Sequence, residues 1–271
     1  MSTAPIRTRI WQEEPEPDNA FATRRARCHG FDVYGEMLGH ARWAEMVYLL
    51  LCGQPPSPAQ TDLLDALAVA LANPGPRDPS VHAAMAGGIG GSLAAANLMA
   101  ALAVGAGQCG GSREVFLVQG IWQSVGDAAS DWLPRWLMAL TSAVGPTQPD
   151  DVWPDVEHPP GFDPHGIRTA TTVLQTLDCL SALSPGPRLP WLQRHRGTLE
   201  QHTGLPLSMM GVAATALADL GMTPAQGEML HLLMRLPGAA AHALEQSERH
   251  YREFPFPPLD LQDDPDTRIC S

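Results

Sequence analysis

The chain has 271 residues, enough for one large domain or for a large domain with a smaller lobe. Hydrophobic residues make up 44% and charged residues 17%, which supplies a core and excludes global disorder. The net charge of −12 leaves no basic excess for nucleic acid, so an anionic substrate must meet a local cluster of arginines.

The opening thirty residues are polar and proline-bearing and read as an irregular arm, with no apolar stretch of the secretory kind. Ala44 to Leu51 reads as a short apolar helix stopped by Gly53 and Pro55-Pro56. Ser57 is an N-cap with Pro58 at the first helical position, and Leu63, Leu64, Leu67 and Leu71 then share one face. Asn73-Pro74-Gly75-Pro76 ends that helix. Ala83 to Gln108 carries no charge and is long enough to span a bilayer. Its Gly and Ala content, and the pairs Gly87-Gly88 and Gly90-Gly91, make it a buried core helix instead.

A helix restarts at Ser112, whose hydroxyl is expected to cap it, with Glu114 in the first turn. An amphipathic piece follows over 127–143, and 145–164 is a proline-dense loop. Helical patterns resume over 168–182, 189–202 and 207–220, then over 224–236 and 238–253 on either side of Pro237-Gly238. The tail from Phe254 reads as extended, and no segment reads as a strand ladder or a repeat, so an all-α fold is expected. Five widely spaced cysteines (Cys28, Cys52, Cys109, Cys179, Cys270) read as reduced thiols of a cytoplasmic protein, with no disulfide framework and no metal site.

Four segments, in order, carry a resemblance. GFDVYGEMLGHARWAEMVYLLLCGQPPSPAQ from Gly30, AALAVGAGQCGGSREVF, PPGFDPHGIR, and LPLSMMGVAATALADLGMTPAQGEMLHLLMRLPGAAAHALEQ to Gln246 resemble the citrate synthase and citryl-CoA lyase group. The resemblance implies a homodimer. A large helical domain (1–110 with 207–271) would pair with a smaller helical lobe (111–206) that closes over acyl-CoA. It implies no tightly bound cofactor, a CoA thioester as substrate, and a small di- or tricarboxylate beside it. The chemistry it implies makes or breaks a carbon–carbon bond next to the thioester carbonyl. An aspartate base and two histidines handle the enolate and the keto acid.

The same alignment exposes departures. Gln108-Cys109-Gly110-Gly111 stands where the family has Leu-His-Gly-Gly, and Asn73-Pro74-Gly75-Pro76 where the ATP citrate lyase module has Asp-His-Gly-Pro. Leu205-Pro206-Leu207-Ser208 stands where the family has Asn-Val-Asp-Phe, so Leu207 occupies the place of the base. His165 fills the family's Gly-Phe-Gly-His position only with a one-residue insertion.

The catalytic candidates are therefore His165, Cys109 and Asp163. Cys109 reads either as a thiolate at a helix N-terminus or as a small buried cysteine. Asp163 either orients the His165 ring or caps its own turn. Substrate-binding candidates are Arg168, Arg249 and Arg252, whose guanidinium groups suit carboxylates, and His82, which alternatively reads as a satisfied core histidine. His242 reads as structural. Gly107, Gly110 and Gly111 are the CoA contacts the resemblance implies, since glycines let a backbone approach a pantetheine or phosphate. The activity implied most simply is cleavage of citryl-CoA to acetyl-CoA and oxaloacetate. A ligand-binding or scaffolding relative without chemistry, and a Cys109-dependent acyl transferase, are the alternatives.

Overall fold

The computed structural model describes residues 6–126, 128–145, 155–249 and 251–253. The tail from Phe254, Cys270 and much of the 145–164 loop lie outside them. The expected irregular arm is corrected: β1 (Trp11–Pro15), β2 (Thr23–Cys28) and β3 (Phe31–Asp32) form an antiparallel three-stranded sheet. In Thr23-Arg24-Arg25-Ala26-Arg27-Cys28, Ala26 and Cys28 are buried, Arg24 and Arg25 are exposed and Arg27 is half-buried. Glu14 accepts from Arg24 at 3.2 Å and Arg27 at 3.0 Å, and Arg25 meets Asp32 at 3.0 Å. These cross-strand ion pairs stand where an apolar stripe would otherwise announce a strand. His29 (φ 48°) and Gly30 (φ 93°) form the two-residue turn from β2 to β3.

Helices follow. α1 (Trp43–Cys52) stops at Gly53 in the left-handed conformation (φ 76°). α2 (Pro58–Leu71) opens with the expected cap: Ser57 Oγ accepts the Gln60 N–H, and Gln60 Oε1 accepts the Ser57 N–H at 2.9 Å. Leu63, Leu64, Leu67 and Leu71 are its buried face, as their spacing predicts. The single core helix expected over 83–108 is instead two, α3 (Pro79–Ile89) and α4 (Ala94–Gly105). Gly91 turns the chain at φ 72°, and the Ser92 N–H returns to the Gly87 carbonyl at 2.9 Å. Nor is α4 wholly buried, since Leu93 at its start is 81% and Met99 61% exposed. Among the described residues, no helix is long and apolar enough to cross a membrane.

The remaining helices are α5 (Ser112–Val125), α6 (Trp132–Ala143), α7 (Thr171–Leu183), α8 (Arg188–Thr203), α9 (Met209–Asp219) and α10 (Pro224–Arg249). The two closing helices expected on either side of Pro237 are one continuous element. Proline supplies no N–H, and the next N–H, that of Gly238, is diverted to the Ala72 carbonyl at 2.7 Å. A Cβ on Gly238 would lie 2.7 Å from that carbonyl, so only glycine permits the approach. The break in the helical ladder becomes a tie between α10 and the end of α2.

α10 also packs against α3, α4 and α5, and α5 against α9. Small residues set the α3–α10 spacing: a Cβ on Gly88 would fall 2.3 Å from the Ala243 carbonyl oxygen. The main core centres on Trp122, whose ring meets Trp132, Trp136 and Trp191 edge-on at centroid distances of 5.2, 4.9 and 5.4 Å. The chain is thus mostly helical, as expected, with a small sheet at its start.

Candidate functional site

Three segments that the sequence places far apart meet around one carboxylate. Glu114, in the first turn of α5, is buried; its Oε2 accepts the Gly110 N–H at 3.0 Å and its Oε1 the Gly161 N–H at 2.7 Å. His158 Nε2 stands 3.9 Å from Oε1. The Glu114 carboxylate raises the pKa of this imidazole, with burial opposing and Glu157 and Asp163 adding to the rise. Beyond Gly161 the loop is stitched to the start of α9. The Ser208 N–H reaches the Gly161 carbonyl at 2.9 Å, and the Asp163 N–H reaches Pro206 at 2.8 Å. The Gln108–Gly111 turn, the Gly161–His165 loop and the Leu205–Ser208 segment are therefore brought together.

Within this frame the expected residues have definite places. Cys109 is exposed, which corrects the buried reading of its thiol; it lines a small cleft with Gln108, Glu114 and His158. Gly110 takes φ 69°, and a Cβ on Gly111 would lie 2.2 Å from the Gly107 carbonyl oxygen, so the turn itself demands these glycines. Ser112 does not cap α5, contrary to expectation; Gly111 holds the cap position, and the buried Ser112 hydroxyl meets His231 Nδ1 at 2.7 Å. Burial, with the positive charge of Arg235 nearby, lowers the His231 pKa to about 3, so this ring stays neutral. Asp163 accepts the backbone N–H of His165 at 2.9 Å, the turn-capping role, and the His165 residue itself is exposed. Leu207 is buried, and its N–H is held by Glu200 Oε1 at 3.2 Å.

Arg168 lines an open groove of about 410 Å³ with Arg196, Glu200 and Pro206. Arg196 pairs with Glu200 at 2.6 Å. Burial raises the Glu200 pKa, but the Thr169 hydroxyl, Arg196 and the Leu207 N–H together bring it below its ordinary value.

A second cavity, of about 690 Å³, lies among α2, α7, α9 and α10. Its charged lining among the described residues is Arg235 and Asp78. Arg235 is 5% exposed and pairs with Asp78, while its Nε and Nη1 have no hydrogen-bond partner among the described residues. Burial lowers the Arg235 pKa and Asp78 opposes that shift. Asp78 is fixed as the cap of α3, accepting the Ser80 N–H at 2.9 Å and the Ser80 hydroxyl at 2.5 Å. Asn73 and Pro74 also line the cavity, next to the Gly238–Ala72 tie. Nε and Nη1 of Arg235 are buried out of reach of the cavity, and Nη2 is held by Asp78 and the Ser80 hydroxyl, so the pair ties α10 to the start of α3.

Of the candidate substrate groups, His82 is exposed on α3, which corrects its reading as a core histidine; it lines neither this cavity nor the Arg168 groove. Arg249 is exposed and pairs along the helix with Glu245 at 2.7 Å; Arg252 is exposed in a short turn after α10, and neither lines these sites. His242 lies 3.6 Å from Glu245 on the same helix. Arg235, Asp78, Glu114 and His158 were not among the residues the sequence singled out for chemistry. The available signal for Arg235 was a lone cation in the apolar run Met229–Leu236.

No protein-family model and no curated protein sequence matches the chain. Solved structures do. Citryl-CoA lyase from Hydrogenobacter thermophilus matches with a TM-score of 0.68 at 17% identity, over 97% of this chain and 99% of that one. ATP citrate lyase from Methanothrix soehngenii, in complex with citrate and coenzyme A, matches with a TM-score of 0.67 at 13% identity, over 97% of this chain and 43% of that one. A point mutant of the Methanosaeta concilii ATP citrate lyase, in complex with (3S)-citryl-CoA, matches with a TM-score of 0.66 at 13% identity, over 100% of this chain and 44% of that one. This chain thus spans nearly all of the lyase and less than half of each ATP citrate lyase, and it carries their citrate synthase-like fold.

Proposed function

We propose that this protein binds a CoA thioester bearing a carboxylate and breaks the carbon–carbon bond beside the thioester carbonyl, in the manner of a citryl-CoA lyase. The observation that carries the reading is the convergence of the Gln108–Gly111 turn, the Gly161–His165 loop and the Leu205–Ser208 segment in a citrate synthase-like fold. The thioester runs over the Gly107–Gly111 turn. Arg168 and Arg196, in the neighbouring groove, meet the CoA phosphates. The lobe of 111–206 closes over the remainder. In the cleavage, a base takes the proton of the tertiary hydroxyl and the carbon–carbon bond breaks. The keto acid departs, and the enolate left on the thioester takes a proton to become acetyl-CoA. His165 is the imidazole of the aligned loop, and Asp78 is the carboxylate of the Arg235 cavity.

A specific observation favours a second reading, binding without turnover: Leu207 is buried and apolar where the family places its base. A positioned base contributes roughly 10²–10⁴-fold, so cleavage here is slow on either reading. The experiment is a thermal-shift titration with CoA joined to a citryl-CoA cleavage assay. Stabilisation with slow turnover that is lost in His165→Ala supports the lyase reading. Stabilisation without turnover supports the second, and no stabilisation at millimolar CoA overturns both.

The assembly we propose is a homodimer through α4 and α10, whose outer faces expose Leu93, Met99, Met229 and Leu244. Sedimentation should give twice the chain mass of 29.1 kDa, and Leu244→Asp should return the monomer. A monomeric wild type at micromolar concentration contradicts it.

A further inference from the structure

Cys109 is exposed, and the turn that carries it is held on both sides. The Gln108 side-chain amide donates to the Asp155 carbonyl at 3.4 Å, and the Gly110 N–H donates to Glu114 Oε2 at 3.0 Å. Gly110 at φ 69°, and Gly111 where a Cβ would meet the Gly107 carbonyl, give the chain one path here. The thiol therefore has a fixed place and open access. Glu114 and His158 line the same cleft, and His158 Nε2 stands 3.9 Å from Glu114 Oε1. Glu114 keeps that imidazole protonated to a higher pH than an isolated one. A thiol, an imidazole and a carboxylate that orients the imidazole are the parts of thiol-based acyl transfer.

We propose that Cys109, with His158 beside it, takes up the acyl group of the CoA thioester and holds it as an S-acyl group on the protein. The inference rests on the reading that the thioester runs over the Gly107–Gly111 turn, which brings its carbonyl to this thiol. In the step, the Cys109 sulfur bonds to the carbonyl carbon and the bond from that carbon to the CoA sulfur breaks. The proton of the Cys109 thiol passes by way of His158 to the CoA sulfur, which leaves as a thiol. One thioester replaces another, so no oxidant, reductant or further reactant enters. The acyl group then stays on the protein when free CoA departs.

The test is incubation of the full chain with acetyl-CoA, followed by mass mapping of each cysteine-bearing peptide over time. Cys179 is the internal reference: it too is exposed, on α7, and the cavity it lines has no histidine among the described residues. Cys109 should acquire an acetyl group at least about tenfold faster than Cys179, because a bound thioester holds its carbonyl beside one thiol only. Neutral hydroxylamine should remove the group, as it removes a thioester and spares an amide. His158→Gln should slow the reaction at Cys109 at least about tenfold, with the Cys179 rate unchanged as the sign of an intact fold. Equal rates at Cys109 and Cys179 in wild type overturn the inference. Cys109 left free while CoA still raises the melting temperature also overturns it and leaves the reading of the turn standing. An unchanged Cys109 rate in His158→Gln overturns the relay. No acetylation and no stabilisation by CoA overturn both the inference and the reading beneath it.

Discussion

The two carboxylates Glu114 and Asp78 stand in contrasting regions. Glu114 is saturated with backbone partners from the 107–111 turn and the 161–165 loop, and both of its oxygens hold structure in place. Asp78 holds a helix cap and one side of Arg235, and leaves Nε and Nη1 of that guanidinium without a partner among the described residues. Both regions are framework of different kinds: the first joins loop backbone to loop backbone, and the second joins the start of α3 to α10 through one ion pair. The frame of the first region depends on Glu114 and on the glycines around it.

Substitutions at four positions sharpen or break this contrast. The largest effect is expected from Glu114→Ala, which leaves the Gly110 and Gly161 N–H groups unpaired. It should cost about 3–6 kcal/mol in denaturant unfolding, from two charge-assisted bonds of ~1.5–3 kcal/mol each. Glu114→Gln should cost less than half as much, and a loss below ~1 kcal/mol for the alanine variant would show that the frame lies elsewhere. Next is Arg235→Ala, which leaves Asp78 without its cation and should cost about 2–3 kcal/mol in denaturant unfolding. A loss below ~0.5 kcal/mol would show that other contacts hold α3 to α10. Gly238→Ala should cost about 1–3 kcal/mol, because the new methyl meets the Ala72 carbonyl and overpacks the tie beside Asn73. A neutral effect in thermal unfolding would mean that α2 and α10 separate freely.

The smallest effect concerns pH. Glu114 raises the His158 pKa in the folded protein. The associated stability is therefore complete below the unfolded value of about 6.5 and is lost as pH rises through the higher folded value. Wild type should exceed His158→Gln in stability by more at about pH 5.5 than at about pH 9, and the difference should vanish in a Glu114→Gln background. A gap that is the same at both pH values would remove Glu114 from the account of His158.

Much of the helical layout was legible because capping and periodicity are local. Ser57-Pro58 with Gln60, and the Leu63, Leu64, Leu67, Leu71 face, needed no tertiary information. The sheet escaped because its strands are held by arginine–carboxylate pairs across strands, which a search for alternating apolar residues does not register. The sequence predicts two helices where α10 is one, because proline breaks isolated helices and nothing local reveals that the Gly238 N–H has the Ala72 carbonyl as a partner. The segments that converge at the site were legible by resemblance, with His165, Cys109 and Leu207 in order. Arg235 and Asp78 were not, since they lie 157 residues apart and their pairing depends on how α3 and α10 pack.

The most direct test of the central claim, that Glu114 holds the 107–111 turn and the 161–165 loop together, is equilibrium denaturant unfolding of wild type and Glu114→Ala side by side. The account predicts a loss of about 3–6 kcal/mol with unfolding that stays cooperative. Equal stability in the two proteins would contradict it.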